Sequence, residues 1–277
     1  MEQFIISVFA GLVSGVAIFM IGLFWPILPK SIKKFKLRQF FGKSIFKSGV
    51  IVTYGAFKDS RHRESSPSRY WYDKHYHDRR WIAFVGPREF VVSACEIRSA
   101  SYLISSISPY KKNIVKVLAD LEVFPNLDNT IISLGGGASN EISRLALEEP
   151  ENIFLEFVQE SEDVIIHDKR SGNIYRGFKL PRPKDYGIIL RIPNKRFPGK
   201  YFLVCAGIGE WGTSGASWYL ANKWVALNKE FSGAFGIVVE VEIGSDESAI
   251  RVFKSTDKAG GQAPPSADAL REPPRIQ

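Results

Sequence analysis

The sequence predicts an α/β protein, a three-layer fold around a mixed β-sheet, preceded by one transmembrane helix. Three observations support this prediction. A charge-free apolar run, Phe4–Leu28, is followed directly by basic residues. Through residues 48–254, short β-branched segments alternate with segments of helical spacing. Two of the predicted strands lead through a glycine-rich loop straight into a helix.

The apolar run is long enough to cross a membrane. Its residues would form roughly 37 Å of helix, against a hydrocarbon core of about 30 Å. A cleavable signal peptide and a buried core helix are the alternatives, but positive charge follows this run rather than preceding it. We assign residues 1–29 to a transmembrane anchor. Gly11 and Gly15 would let two such helices pack closely, so the sequence allows a homo-oligomer without requiring one.

The basic juxtamembrane segment, residues 30–47, contains lysines and arginines but no acid. Positive residues beside a span stay in the cytoplasm, so we expect a single-pass cell-membrane protein with its N-terminus outside and its domain cytoplasmic. The segment fits an amphipathic helix on anionic lipid or a plain stop-transfer flank. Among its charges it carries the apolar residues Phe35, Leu37, Phe40, Phe41, Ile45 and Phe46.

The charge balance argues against a nucleic-acid partner. The formal net charge is +8, and residues 30–47 contribute +7 of it. The remaining chain is nearly balanced, so the basic composition belongs to the membrane flank rather than to a nucleic-acid surface. Cys95 and Cys205 lie in apolar surroundings, which predicts buried free thiols in a reducing compartment.

The predicted cytoplasmic domain covers residues 48–254, and the sequence of its first half indicates strands and helices clearly. The β-branched run Val50–Tyr54 predicts a strand that stops at Gly55. Apolar residues between 89 and 107 recur at helical spacing, and we extend this helix as a second segment over 110–121. The apolar run Thr130–Leu134 predicts a strand, which three glycines separate from a helix near 140–147.

The second half predicts more strands. Residues 153–178 read as hairpin strands that insert in, or edge, the main sheet. Two buried strands, 186–192 and 201–206, flank a turn, and a helix from about 214 to 227 follows them. Strands near 235–243 and 249–253 complete a mixed sheet. Residues 255–277 carry too little apolar surface to fold, so we predict a disordered tail.

Two segments repeat one design, an apolar strand, a glycine-rich turn with hydroxyl or amide groups, and an immediate helix. Glycine lets the backbone approach a ligand closely, and N–H groups at a helix start favour an anion such as phosphate. Both loops should lie beyond the carboxyl ends of strands, where ligands bind in α/β sheets. The candidate ligand-binding residues are Gly135, Gly136, Gly137, Ser139, Asn140, Gly207, Gly209, Gly212, Thr213 and Ser214.

The alternative is that these glycines serve only the tight strand-to-helix turns. Neither loop has the Gly-Lys-Ser/Thr sequence of an ATPase phosphate loop. The second loop also lacks the acidic residue that NAD-binding proteins carry at the end of the next strand, about twenty residues after the glycines. We therefore expect no required cofactor. The expected ligand is a nucleotide or a similar phosphorylated small molecule.

The second loop, Gly207-Ile-Gly-Glu-Trp-Gly-Thr213, resembles the phosphate loop of SLOG-like Rossmannoid domains. The resemblance covers two short segments of the chain and implies a Rossmann-like fold and nucleotide sensing, with N-glycosidic bond cleavage in some members. Enzymes of that group begin the loop with Pro-Gly-Gly and carry a glutamate soon after the threonine. Here Ala206 precedes the loop, and Thr213-Ser-Gly-Ala-Ser-Trp218 follows. The resemblance thus favours nucleotide binding over bond cleavage.

Few residues suggest catalysis or metal binding. Asp185 and Glu210 lie near predicted strand ends and are the candidates for an acid or base, although such residues more often serve as turn residues or helix caps. Residues 57–81 hold three of the four histidines among aromatic residues, without the spacing of a metal site. We predict no metal there, and expect a loop that packs on the domain or contacts a partner.

Three functions follow from these observations. The leading hypothesis is a membrane-anchored cytoplasmic domain that senses or binds a nucleotide or similar phosphorylated small molecule. The second is a nucleotide N-glycosidic hydrolase or transferase. The third is a non-catalytic membrane interaction protein, in which the glycines only shape the turns.

Overall fold

The computed structural model describes residues 27–58, 90–160, 163–177 and 183–256. Most of the predicted anchor, nearly all of the aromatic segment 57–81 and all but two residues of the predicted tail lie outside these ranges. Among the helices of the described ranges, none combines the length and apolar content that crossing a bilayer requires.

Helices and strands alternate through the described chain. The helices are α1 (Ile27–Phe41), α2 (Ile45–Ser48), α3 (Ala94–Ile107), α4 (Glu141–Glu148) and α5 (Glu210–Glu230), and 3-10 turns cover Ser108–Tyr110 and Asp120–Asn126. The strands are β1 (Val50–Tyr54), β2 (Phe57–Lys58), β3 (Phe90–Val91), β4 (Val115–Ala119), β5 (Thr130–Leu134), β6 (Leu155–Glu160), β7 (Asp163–Asp168), β8 (Ile174–Tyr175), β9 (Lys184–Pro193), β10 (Tyr201–Gly207), β11 (Phe235–Glu242) and β12 (Ser245–Thr256).

Seven strands form one mixed sheet in the order β12-β11-β9-β10-β5-β1-β4. The four strands from β10 to β4 are parallel, whereas β9, β11 and β12 add antiparallel pairs. Helices α1, α2, α3 and α5 pack on one face, and α4 with a separate sheet of β6, β7 and β8 packs on the other. This arrangement confirms the predicted mixed α/β fold and is consistent with a Rossmann-like one.

Two predictions about single elements are wrong. Residues 110–121 do not form a second helical segment, because Val115–Ala119 pairs in parallel with β1 as the edge strand β4. The strands of the middle section neither insert in nor edge the main sheet. Their backbones pair only with one another among the described strands, while Leu155 and Ile166 are buried against the face of the main sheet.

Helix α1 joins the basic segment to the domain core. Residues 31–35 are all exposed, whereas Leu37, Phe40 and Phe41 in the last turn are buried against α5. Most of the apolar residues predicted to face lipid thus belong to the core. Ile32, close to the start of the helix, remains 48% exposed.

A buried arginine on a central strand caps the C-terminal end of α1. The Arg191 guanidinium donates hydrogen bonds to the carbonyl oxygens of Phe40 at 2.9 Å, Gln39 at 3.1 Å and Gly233 at 2.7 Å. It also lies 3.8 Å from the ring centroid of Tyr201. These contacts satisfy carbonyls that the end of a helix leaves unpaired, and they hold α1 at a fixed place on the domain.

Arg191→Met should therefore destabilise the domain by about 3 kcal/mol, because three carbonyl groups lose their donor in a buried site. Chemical denaturation of the full chain in detergent measures this loss. The matched control is Arg196→Met, an exposed position where we expect a change within about 0.5 kcal/mol. Equal stability of both variants would contradict the capping role of Arg191.

Candidate functional site

The two glycine loops lie side by side at the carboxyl edge of the sheet. They follow β5 and β10, which are neighbouring parallel strands. A cavity of about 450 Å³ lies between them, and the first turn of α3, one side of α4 and parts of β6 and β7 complete its lining. Helices α4 and α5, which follow β5 and β10, cover opposite faces of the sheet, so the cavity lies at a topological switch point, where α/β proteins bind ligands.

Seven of the ten predicted ligand-binding residues line this cavity, and they come from both loops. They are Gly135, Gly136, Gly137, Ser139, Gly207, Gly209 and Thr213. The other three, Asn140, Gly212 and Ser214, do not line it. The structure thus brings seven of the predicted residues, from two segments about 70 residues apart, to the lining of one cavity.

The first loop offers hydrogen-bond donors to the cavity. Residues 136–138 line it, and their N–H groups have no acceptor within the described part of the chain. The N–H groups at the start of α4, residues 141–143, are instead occupied by the side chains of Asp120 and Asn140. A Cβ built on Gly136 meets no atom within 4 Å, so the loop has open space beside it. Asn140 is therefore a helix cap, and the free donors precede it.

The second loop is closed by the protein's own carboxylate. Asp185 is 5% exposed and accepts hydrogen bonds from the N–H groups of Gly209 at 3.0 Å and Gly212 at 2.6 Å. The N–H group of Gly207 donates to the Thr213 hydroxyl at 2.9 Å. Burial raises the pKa of Asp185, although these N–H groups oppose the shift. The donors that the sequence suggested for phosphate are thus already used, and Asp185 caps α5 instead of facing the cavity.

Ser214 and Glu210 lie on different sides of the second loop. The Ser214 hydroxyl donates to Asp246 and accepts from Arg98, which also lies 4.5 Å from the Trp211 ring centroid. This polar cluster joins α3 to α5 behind the cavity. Glu210 does line the cavity, and burial raises its pKa against the opposing charge of Arg98.

Glu96, in the first turn of α3, is a site residue that the sequence reasoning missed. It lines the cavity, is 2% exposed, and its Oε2 has no hydrogen-bond partner among the described residues. Burial raises the pKa of its carboxyl to about 8, although the N–H groups of Gly55 and Ser93 oppose the shift. Its Oε1 lies so near the first loop that a Cβ on Gly135, where φ is +83°, would be 2.6 Å away. The cavity therefore contains a mostly neutral carboxyl at pH 7.

The charged groups of the cavity favour some chemistries over others. Four glutamates line it together with two basic residues, Arg144 and Lys169. Arg144 is paired with Glu148, and the Lys169 ammonium donates to the carbonyl of Asn152, so both cations are engaged. Burial raises the pKa of the Cys95 thiol to about 12, which excludes a thiolate nucleophile at neutral pH. No cluster of metal-ligating side chains occurs within the described ranges.

Comparisons of the chain with models of protein families, with curated proteins and with solved structures gave no match. The resemblance to SLOG-like domains therefore stays a prediction that rests on the residues of the glycine loops.

The titration of Glu96 should make stability depend on pH. The unfolded chain loses this proton near pH 4.5, whereas the folded protein holds it to about pH 8. Between these values the folded state binds one proton more, so the free energy of unfolding falls as pH rises, by about 1.4 kcal/mol per pH unit. Urea denaturation of the wild type and of Glu96→Gln between about pH 5 and 9 isolates this contribution, since other groups titrate in both proteins. Parallel profiles for the two proteins would contradict a buried, proton-holding Glu96.

Proposed function

We propose that this chain binds a nucleotide, or a similar phosphorylated small molecule, in the cavity between the glycine loops, and that residues 1–29 hold the domain at the cytoplasmic side of a membrane. One observation carries the proposal. A single cavity at the switch point presents free backbone donors from residues 136–138 beside the unpaired carboxyl oxygen of Glu96.

The first loop is the place for the phosphate. The free N–H groups of residues 136–138 lie two to four residues before Asn140, the cap of α4, so the positive end of the helix dipole is near them and favours an anion. The glutamates of the lining, among them Glu148 and Glu156, oppose further negative charge. These groups favour a ligand with one phosphate over a polyphosphate.

The rest of the ligand should carry hydroxyl or amide groups. A neutral Glu96 carboxyl can donate one hydrogen bond and accept others, which suits a sugar hydroxyl or the edge of a base. A buried carboxyl oxygen without a partner, as Glu96 Oε2 is among the described residues, costs free energy, and a ligand that pairs with it recovers that cost. Glu210 adds a second carboxyl to the lining, and its charge helps to raise the pKa of Glu96.

The position of α5 supports a sensing role. This helix starts at the second loop and is about 31 Å long. Near its far end, the Asn228 side chain donates to Gln39 of α1 at 3.1 Å, and Trp224 packs beside Phe40. One rigid element therefore connects the cavity to the helix that leads towards the proposed anchor.

Gly136→Val tests the ligand site without disturbing the fold. The added side chain enters open space beside the first loop and should exclude a phosphate. Saturating ligand should raise the melting temperature of the wild type by about 5 °C, and this shift should disappear in the variant. Differential scanning fluorimetry of the full chain in detergent, with nucleoside mono-, di- and triphosphates and sugar phosphates, provides the measurement.

The matched control is Gly177→Val, at an exposed position outside the cavity. A Cβ on Gly177 would lie 3.7 Å from the Lys184 carbonyl oxygen, which is an ordinary van der Waals contact. It should keep the full ligand-dependent shift. An unchanged shift in Gly136→Val, or the absence of any shift across the panel, would count against the proposal.

The second candidate function is cleavage of an N-glycosidic bond, which Glu96 specifically favours. A carboxyl with a pKa of about 8 can give a proton to a leaving base, while water supplies the hydroxyl to the sugar and its other proton returns to Glu96. Chromatography of nucleoside monophosphates incubated with the full chain would detect the released base. Glu96→Gln should lower the rate by about 100-fold or more, whereas Glu148→Gln, at an exposed carboxyl of the same cavity, should keep it. Binding without release would exclude the enzyme and leave the binding function.

A further inference from the structure

A second charged surface lies at the amino edge of the sheet, opposite the cavity. The parallel strands β1, β4, β5 and β10 all begin at this edge. The turns that precede three of them carry exposed or half-exposed lysines. We call this surface the basic face, and its members are Lys43, Lys47, Lys111, Lys112 and Lys200.

Contacts between the turns bring these lysines together from three distant segments. The Lys200 ammonium donates to the Ser48 hydroxyl at 2.9 Å, and the Lys111 ammonium donates to the carbonyl of Phe46. The turns also touch through their backbones, since a Cβ on Gly42 would lie 2.5 Å from the carbonyl oxygen of Gly199. The basic face is thus a product of the fold and not only of the juxtamembrane sequence.

The positive charge of the basic face is not neutralised by ion pairs within the described chain, and Asp128, in the turn before β5, is an acid whose charge reaches Lys200. None of its five lysines forms an ion pair there. Burial lowers the pKa of Lys200, Asp128 opposes this shift, and the nearby charge of Lys47 adds to it. Like charges held this close together favour an anionic partner.

The neighbouring helix indicates which partner this is. The last turn of α1 lies at the same edge, where the Thr130 hydroxyl donates to the Phe41 carbonyl at 2.7 Å. The first residues of α1 continue the apolar run that the sequence assigns to a membrane span. Ile32 and Phe35 are 48% and 61% exposed among lysines, a combination suited to the boundary between headgroups and acyl chains.

We propose that the basic face docks flat on the anionic surface of a lipid bilayer. The lysines of three turns would then contact lipid headgroups, with the exposed start of α1 entering the interface beside them. The cavity would open on the far side of the domain, away from the membrane. This inference is independent of what the cavity binds.

Amine labelling of the full chain tests the proposal residue by residue. The protein is reconstituted in vesicles of phosphatidylcholine, with or without phosphatidylserine, and lysine modification is read by mass spectrometry. We expect anionic lipid to lower the labelling of Lys43, Lys47, Lys111 and Lys112 by about threefold or more, and added salt to restore it. Lys169 and Lys184, at the opposite edge, should be labelled equally in both vesicles.

A charge-reversal variant separates docking from the apolar segment. Lys111→Glu with Lys112→Glu should abolish the lipid-dependent protection of Lys43 and Lys47, whereas Arg170→Glu with Arg176→Glu, at exposed positions on the separate sheet, should leave it intact. Equal labelling of the wild type in both kinds of vesicle would overturn the proposal. Stronger protection by single-stranded RNA in phosphatidylcholine vesicles than by phosphatidylserine would also overturn it, in favour of a nucleic-acid partner.

Discussion

The organisation of this domain depends on a direct contact between the backbone at the start of α5 and the strands beneath it. A Cβ on Gly212 would lie 2.2 Å from the Tyr186 carbonyl oxygen, and one on Gly187 would lie 2.1 Å from the carbonyl oxygen of Gly212. Only glycine allows elements to pack this closely. With no side chain between them, the Asp185 carboxylate reaches the N–H groups of the second loop and fixes the start of the longest described helix.

This contact makes two loops of similar sequence chemically different. In the second loop, glycine serves packing, and an internal carboxylate occupies the place where an anion would bind. In the first loop, the donors of residues 136–138 stay free, and Gly136 faces open space. Most of the second loop thus agrees with the alternative that its glycines serve only a tight turn. The first loop agrees with the hypothesis that its glycines make room for a ligand. A rigid wall beside an open set of donors is what a preorganised small-molecule site requires.

The sequence predicted the local elements better than the contacts between them. Strands β1 and β5 have the predicted bounds, because runs of β-branched residues that end at glycine specify both the element and its end. The edge strand β4 was missed because its short run Val-Lys-Val-Leu-Ala, half-buried or exposed, fits a helix and a strand alike. Glu96 follows Ser93 at the spacing of a capping box, so it looks like an ordinary helix start. Its burial, like the capping roles of Asp185 and Arg191, arises from tertiary packing that no local pattern encodes.

The polarity of the parallel strands separates the two proposed surfaces and limits how they could communicate. Ligand at one edge can affect the other only through contacts that differ between two states. A shift of α5 would break the hydrogen bonds between Asp185 and the second loop, so we do not expect α5 to move first when ligand binds. Helix α3 is better placed, because its Glu96 lines the cavity while its Arg98 and Ser106 bind the Ser214 hydroxyl and the Ala221 carbonyl of α5. If the cavity binds the proposed ligand, a ligand group that forms a hydrogen bond with Glu96 would act on α3 first. Asp185 and Arg191 both lie on β9, where they hold the start of α5 and the end of α1. Helix α3 is therefore the element that can respond to ligand while both of these caps stay intact.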